Sequence, residues 1–197
     1  MSVEAGELVT RVAVAVGGAP EGLCEQALRG AFGDVCQTTR IWKRRATATV
    51  PEGHVAKAGA LVALPPPPDN TRRDDISGIL VNGKPAPGLW GEVHSCGILD
   101  RLGVVKAGDE LEWTETLAPT AGSVGDIPEE VLALGGEAAV ALAAASLLDM
   151  PRRPWSNPAA AMAFAQEYSR KIGRLIHRDL TGGRGDIRMG LEGAIDE

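Results

Sequence analysis

The sequence is poor in aromatic residues, and this shortage limits what its core and surface can do. Phe, Trp and Tyr make up 4% of the 197 residues, whereas hydrophobic residues as a whole make up 44%. The core is therefore expected to consist of Val, Leu, Ile and Ala. Stacking of unpaired bases needs aromatic faces, so binding of single-stranded nucleic acid is not expected as the main activity.

An excess of basic charge is also absent. The formal net charge is −6 and the pI is about 5.2. Proteins that neutralise many phosphates need a concentrated basic surface, so nucleic acid is not an expected partner. The last predicted helix is the exception, because it carries a basic side through which an acidic ligand or nucleic acid is a further possibility. This side consists of Arg170, Lys171, Arg174 and Arg178.

Paired cysteines and long apolar runs are missing as well. Cys24, Cys36 and Cys96 are an odd number without CxxC spacing, which favours a reducing compartment. The N-terminal region is acidic and its first apolar run contains Arg11, unlike a secretory signal. The apolar stretch 138–148 is about half as long as a membrane span. These features predict a cytoplasmic protein with no membrane partner.

Turn residues divide the first 120 residues into short segments. Residues 65–68 are a tetraproline that cannot donate ladder hydrogen bonds, and 69–75 are polar, so a long surface loop is predicted there. Asn82-Gly83 is a strong signal for a hairpin. Strands are predicted at 8–16, 35–50 (one strand or a hairpin), 55–64, 79–81, 89–96 and 109–116, and helices at 20–33 and 98–102.

The sequence pattern after residue 120 predicts helices. A helix is predicted to begin near Pro128, to weaken or break at Gly135-Gly136, and to continue to 150. Asn157 and Pro158 are suited to cap and begin a second helix that runs to about residue 180. Its basic side and the acidic stretch 107–151 are expected either to face each other or to be two unrelated solvated surfaces.

These segments predict an α+β fold. A mixed or antiparallel sheet from the N-terminal two-thirds is expected to pack against one N-terminal and two C-terminal helices. The predicted organisation is a sheet-rich domain (1–120), a helical layer on the same core (121–182) and a flexible tail (183–197). The apolar, Ala-rich helix needs cover, so a homo-oligomer is expected.

Segment 90–97 holds the most concentrated set of reactive side chains. If it is a strand, Glu92, His94 and Cys96 share one face, with successive members about 6.5–7 Å apart. His and Cys in this arrangement suit a shared metal or a base–thiol pair, and a helix N-terminus beyond Cys96 would lower its pKa. The alternative is a buried Cys beside a hydrogen-bonded His. No second cluster completes a zinc site, so no metal is assigned.

The polar segment 72–75 is the second candidate. Arg72 and Arg73 are suited to hold a carboxylate or phosphate, and Asp74 and Asp75 to act as acid or base. The alternative is a solvated loop whose charges pair with one another. The preceding tetraproline is a rigid connector that would hold this segment at a fixed distance.

The function predicted from these segments is a cytoplasmic enzyme that acts on a small polar metabolite by acid–base or thiol chemistry, as a lyase, isomerase or hydrolase. No need for an organic cofactor is evident from the sequence, and the cofactor is left unassigned. The alternative is a non-catalytic subunit or homo-oligomeric assembly module that uses the C-terminal helices as interfaces. The predicted catalytic residues are Glu92, His94, Cys96, Asp74 and Asp75, and the predicted substrate-binding residues are Arg72, Arg73 and Trp90.

Overall fold

The computed structural model describes residues 4–92, 97–120, 122 and 124–180. These residues form helices and antiparallel strands, which confirms the predicted α+β class. The helices are α1 (Ala5–Val16), α2 (Glu21–Thr39), α3 (Glu129–Leu148) and α4 (Pro158–Leu180). The strands are β1 (Lys43–Thr49), β2 (Ala60–Ala63), β3 (Thr71–Val81), β4 (Lys84–Pro85), β5 (Leu89–Glu92), β6 (Gly97–Asp100) and β7 (Glu110–Pro119).

The described strands form two sheets, of order β1-β7-β3-β4 and β2-β6-β5. Side chains of β7 alternate between two cores, as the pleat of a strand requires. Leu111 and Trp113 lie in the inter-sheet core, which also contains Val50, Val62, Leu64, Ile76, Ile98 and Val105. Ala118 faces the other way, into the helical core formed mainly by the four helices. The first sheet therefore separates the helices from the second sheet.

Helix α3 is the centre of the helical core. Its Ala and Gly residues allow α1, α2 and α4 all to pack against it. Its length and mean hydropathy of 1.9 would suit a membrane span, but 72% of the apolar window is buried inside the fold, as in the core helix of a globular protein. Because its own chain covers it, α3 does not by itself require a partner subunit, which was the reason for expecting a homo-oligomer.

The prediction of a strand at 8–16 is wrong, because these residues belong to α1. Val and Ala alternate here, but the buried residues are Leu8, Val9, Val12 and Val16, which follow helical spacing. Packing of this stripe against α3 outweighs the strand preference of valine. The helix ends where Gly17 and Gly18 adopt positive φ angles of 67° and 95°.

The predicted boundary of α2 at Gly33 is also wrong, because the helix continues to Thr39 and takes the first residues of the predicted 35–50 strand. Gly33 lies where α2 passes close to β7, and a Cβ there would be 3.6 Å from the Pro119 carbonyl oxygen. Gly33 therefore lies in the interior of α2 beside β7, at ordinary van der Waals distance, and is not a helix end. The helix instead ends at Arg40, in the left-handed conformation with φ 53°.

Two further predictions are corrected in the sheets. The polar loop predicted over 65–75 ends at Thr71, where β3 begins, so Arg72–Asp75 are strand residues. The helix predicted at 98–102 is wrong, because its first three residues belong to strand β6, whose Ile98 is buried between β2 and β5. Cross-strand pairing outweighs the local helical preference of such short segments.

Other predictions are confirmed. Asn82 and Gly83 form the turn between β3 and β4 with φ angles of 50° and 73°, as a primed turn requires. The strand predicted at 109–116 is β7. Asn157 caps α4, because its Oδ1 accepts a hydrogen bond from the Ala160 amide at 3.1 Å. The tail predicted at 183–197 lies outside the described residues.

Of two expectations about the C-terminal helices, the break at Gly135-Gly136 is wrong and the facing of acidic and basic segments is confirmed for one pair of residues. Helix α3 runs unbroken through Gly135 and Gly136, which pack against side chains of neighbouring elements. For one pair of residues, the basic and acidic segments do face each other within the chain, since Lys171 Nζ lies 2.7 Å from Glu137 Oε2.

Candidate functional site

A β-bulge in β3 shapes the region predicted from the sequence as substrate-binding. Arg73 is paired with Leu117 of β7 and Asp75 with Thr116, so Asp74 is an extra residue in the ladder. A bulge of this kind redirects side chains locally. Arg72 and Arg73 point to opposite faces by the ordinary alternation of a strand. The extra residue at Asp74 places Asp75 on the same face as Arg72.

On the helical side of the sheet, Arg72 is held in a defined orientation. Its Nε donates to Asp74 Oδ1 at 2.9 Å, and its Nη2 donates to Gln37 Oε1 of α2 at 3.1 Å. Asp75 forms an ion pair with Arg40 at 2.9 Å. The Asp74 side chain is 15% exposed, whereas that of Arg72 is 49% exposed. Asp74 therefore orients a guanidinium group that is open to solvent.

Arg73 points into the inter-sheet core instead. Its side chain is 2% exposed, and its Nε donates to Glu115 Oε2 at 2.6 Å. Its Nη2 donates to the Pro65 carbonyl oxygen at 2.9 Å, which ties the tetraproline to the sheet. The other Glu115 oxygen accepts from Arg44 Nε at 2.8 Å. The structure thus assigns Arg73 to a buried ion cluster.

Arg72 lines a groove between α2 and the end of β7, which we call the Arg72 groove. Its volume is about 390 Å³, toward the small end of the range of ligand sites, roughly 300–1,000 Å³. Arg29 Nη1 donates to the Gly122 carbonyl oxygen at 2.6 Å and fixes the segment after β7 beside the groove. The lining residues are Gln26, Arg29, Gly30, Gly33, Asp34, Arg72, Pro119 and Thr120.

The cysteines near this region are not suited to thiol chemistry. Burial, with a smaller effect from the Asp74 charge, raises the pKa of Cys36 to about 12. Burial also raises the pKa of Cys24, assisted by the charge of Glu21. Both thiols stay protonated near neutral pH, and the thiolate is the reactive form.

The other predicted site residues are not brought into this groove by the described structure. Trp90 is 56% exposed and lies beneath Arg101, whose Cζ is 4.6 Å from the ring centroid. The neighbouring Gly91 packs against Ile76 of β3, so the alternating side chain of Trp90 faces outward from the second sheet. Glu92 ends β5, and its side chain is outside the description.

His94 and Cys96 lie outside the described residues, so the proposed Glu92–His94–Cys96 face stays a prediction. Within residues 4–92, 97–120, 122 and 124–180, no group of three or more His, Cys, Asp or Glu side chains is suited to hold a metal ion.

Sequence reasoning missed the α2 side of the groove. Arg29 and Asp34 flank Gly30 and Gly33, which leave the helix surface open between two charged side chains. This spacing was a detectable signal once 20–33 had been interpreted as a helix. Nothing in the sequence indicated that this surface lies beside Arg72, because the two segments are distant in sequence and meet only through packing of α2 on β7.

Comparison with known proteins gives no functional assignment. No protein-family model matches the chain, and no curated protein matches it.

Proposed function

We propose that this chain is an enzyme that acts by acid–base chemistry on a small polar metabolite bound in the Arg72 groove. The observation that carries this proposal is the presentation of Arg72, an exposed guanidinium held by Asp74 and Gln37, at the wall of a cavity of small-molecule size. A preorganised guanidinium loses little entropy when it binds a carboxylate or phosphate, and its fork recognises these groups bidentately.

The groove also contains a group suited to proton transfer. Asp34 is an exposed carboxylate in the same lining as Arg72. A carboxylate within hydrogen-bond reach of a bound substrate is suited to act as general base. In this proposal Arg72 binds the substrate, Asp34 moves the proton, and Asp74 is a positioning residue. Thiol chemistry is not proposed for Cys24 or Cys36, because both thiols have raised pKa values.

Depletion of a metabolite mixture tests this proposal. Purified protein is incubated with a pool of small polar metabolites, and consumption is followed by mass spectrometry. The native chain is expected to consume one compound class, and Arg72→Gln and Asp34→Asn are expected to reduce that rate at least tenfold, as is usual for loss of a binding or proton-transfer group, about 10²–10⁴-fold for the latter.

The matched control is Arg45→Gln, which removes an exposed guanidinium from β1 outside the groove lining. It is expected to leave consumption unchanged. Equal loss in all three variants, or full turnover in Arg72→Gln, would contradict the assignment of the groove.

The second candidate is an assembly module that uses the C-terminal helices. Met162 is 66% exposed, and it lies beside a cavity of about 300 Å³ between α3 and α4. Four of its six lining residues are Ala or Ser (Ala145, Ser146, Ala161 and Ala165), whose small side chains permit close helix contacts. A concentration-dependent oligomer that Met162→Glu converts to a monomer in sedimentation would favour this function, whereas a concentration-independent monomer would oppose it.

A further inference from the structure

We infer that the Arg72 groove selects a ligand with two anionic groups and one hydrogen-bond donor. This inference rests on the proposed function, because it names the substrate class of the same groove. The relevant side chains are Arg29, Arg72 and Asp34, which reach one cavity from two elements: Arg29 and Asp34 from α2, and Arg72 from β3.

The two guanidinium groups are anchored separately and each keeps donors for a ligand. Arg29 uses one Nη1 hydrogen bond to the Gly122 carbonyl oxygen. Arg72 uses Nε and Nη2 for Asp74 and Gln37. An arginine has five N–H donors in a fixed fork, so neither anchor exhausts its group. Each is suited to hold one carboxylate or phosphate group.

The carboxylate in the lining adds the third requirement. Asp34 is an acceptor when ionised, so it favours a hydroxyl or ammonium group on the ligand and disfavours a third anionic group beside it. Gln26 and Thr120 add neutral hydrogen-bonding groups to the same lining. A ligand with two acidic groups and a hydroxyl or ammonium group complements all three charged side chains at once.

The groove is open to solvent, and its volume is suited to a small ligand. About 390 Å³ is near the lower end of small-molecule sites, roughly 300–1,000 Å³. Short hydroxy- or amino-dicarboxylic acids and small phosphorylated hydroxy acids share the required chemistry.

Isothermal titration calorimetry with matched probes tests the inference. L-malate has two carboxylates and a hydroxyl, succinate lacks the hydroxyl, L-lactate lacks the second carboxylate, and 3-phosphoglycerate replaces one carboxylate by a phosphate. Malate or phosphoglycerate is expected to bind at least about tenfold more tightly than lactate, the effect of one charge-assisted hydrogen bond. A preference between these two identifies whether the second anionic group is a carboxylate or a phosphate.

Variants assign the preference to its residues. Arg29→Gln is expected to reduce malate or phosphoglycerate affinity to the level of lactate. Asp34→Asn keeps an acceptor oxygen but loses the charge, so it is expected to reduce the advantage of malate over succinate. Arg29→Lys keeps the charge and is the second variant if Arg29→Gln loses the Gly122 contact and unfolds, as checked by circular dichroism. Arg45→Gln is the control for charge alone and is expected to change no affinity.

The outcomes separate this inference from the proposed function. If lactate binds as tightly as malate and phosphoglycerate, and Arg72→Gln abolishes all three, the two-anion requirement is overturned while the groove remains the binding site. If no probe binds but the metabolite assay still shows consumption that depends on Arg72, the inference is overturned alone. If no probe binds and Arg72→Gln consumes metabolites normally, both are overturned.

Discussion

The helical core and the inter-sheet core of this protein differ in where their charged side chains lie. Among the described residues the helices bury no charged side chain, and their ion pairs lie on the surface, where Glu137 joins Arg11 of α1 to Lys171 of α4. The inter-sheet core is smaller and encloses Glu115, whose side chain is 0% exposed, together with Arg73. Charged side chains beside the helical core stay exposed to solvent, whereas those at the inter-sheet core are buried.

The difference follows from how each layer is held in register. Helices around α3 are positioned by many apolar contacts and tolerate small shifts of their surface charges. The bulge in β3 interrupts its ladder with β7 at Asp74. Glu115 accepts hydrogen bonds from Arg44 of β1 and Arg73 of β3, which ties three adjacent strands together beside the bulge at Asp74. The inter-sheet core therefore fixes the segment that displays Arg72 in the groove.

The largest predicted effect is that of Glu115→Ala. Removal of this carboxylate leaves Arg73 buried without its counter-charge, and breaking a buried pair in this way costs about 3–5 kcal/mol. The free energy of unfolding, measured by urea denaturation, is expected to fall by this amount. Glu112→Ala on the same strand is the control, because Glu112 is only half-buried, and it is expected to change stability by less than about 1 kcal/mol.

The double variant Arg73→Met, Glu115→Leu separates charge from packing. Replacement of both partners by apolar residues removes the uncompensated charge, so the double variant is expected to be more stable than Glu115→Ala. A double variant as unstable as the single one would mean that the ion cluster contributes mainly through its packing, and the contrast between the two cores would disappear.

A smaller effect is expected from Gly91→Ala, which tests how tightly the two sheets approach each other. A Cβ at this position would lie 2.7 Å from the Ile76 carbonyl oxygen, which belongs to the backbone and cannot rotate away. Overpacking of this kind costs about 1–3 kcal/mol. The midpoint of thermal unfolding is expected to fall, and an unchanged midpoint would show that the second sheet moves freely relative to the first.

Gly136→Ala is the corresponding change in the helical core and is expected to be near neutral or stabilising. The nearest atoms to an added Cβ are the Leu8 methyl carbons, Cδ1 at 3.1 Å and Cδ2 at 3.2 Å, at the end of a flexible side chain. Alanine in a helix interior gains up to about 1 kcal/mol over glycine. The midpoints of thermal unfolding of Gly136→Ala and Gly91→Ala are measured side by side. A larger fall in the midpoint for Gly136→Ala than for Gly91→Ala would contradict this prediction.

The elements that sequence reasoning predicted correctly carry local signals. Asn82-Gly83 and the Asn157 cap are set by backbone conformation and by hydrogen bonds within a few residues. The wrong elements depend on distant partners. Alternating Val and Ala at 8–16 fits a strand or a helix, and only the packing of α1 against α3 decides between them. Ile98 became a strand residue because β2 and β5 lie on either side of it.

The same limit applies to the candidate site. The charge density of 72–75 was visible in the sequence, and it led to Arg72. The bulge at Asp74 was not, because it exists only in relation to β7. The opposite directions of Arg72 and Arg73 follow from the alternation of a strand, and they were missed because this segment was predicted to be a loop. Arg29 and Asp34 were visible as charged helix residues, but their proximity to Arg72 depends on how α2 packs on the sheet.

The smallest predicted effect is that of Glu137→Gln at the rim of the helical core. Hydrogen bonds from Arg11 and Lys171 hold the pKa of Glu137 down at about 2, below its ordinary value of 4.5. Since the folded-state pKa is the lower one, the stabilisation is fully present above pH 4.5 and is lost as the pH falls through about 2. The Glu137 side chain is 54% exposed, so solvent screening reduces the contribution to less than about 1 kcal/mol.

The difference in the free energy of unfolding between the native chain and Glu137→Gln is expected to be measurable at pH 7, to shrink toward pH 2 and to decrease in about 1 M salt. The loss caused by Glu115→Ala is expected to persist in the same salt, because its ion pairs are buried, and equal salt sensitivity of the two variants would contradict the distinction between the cores.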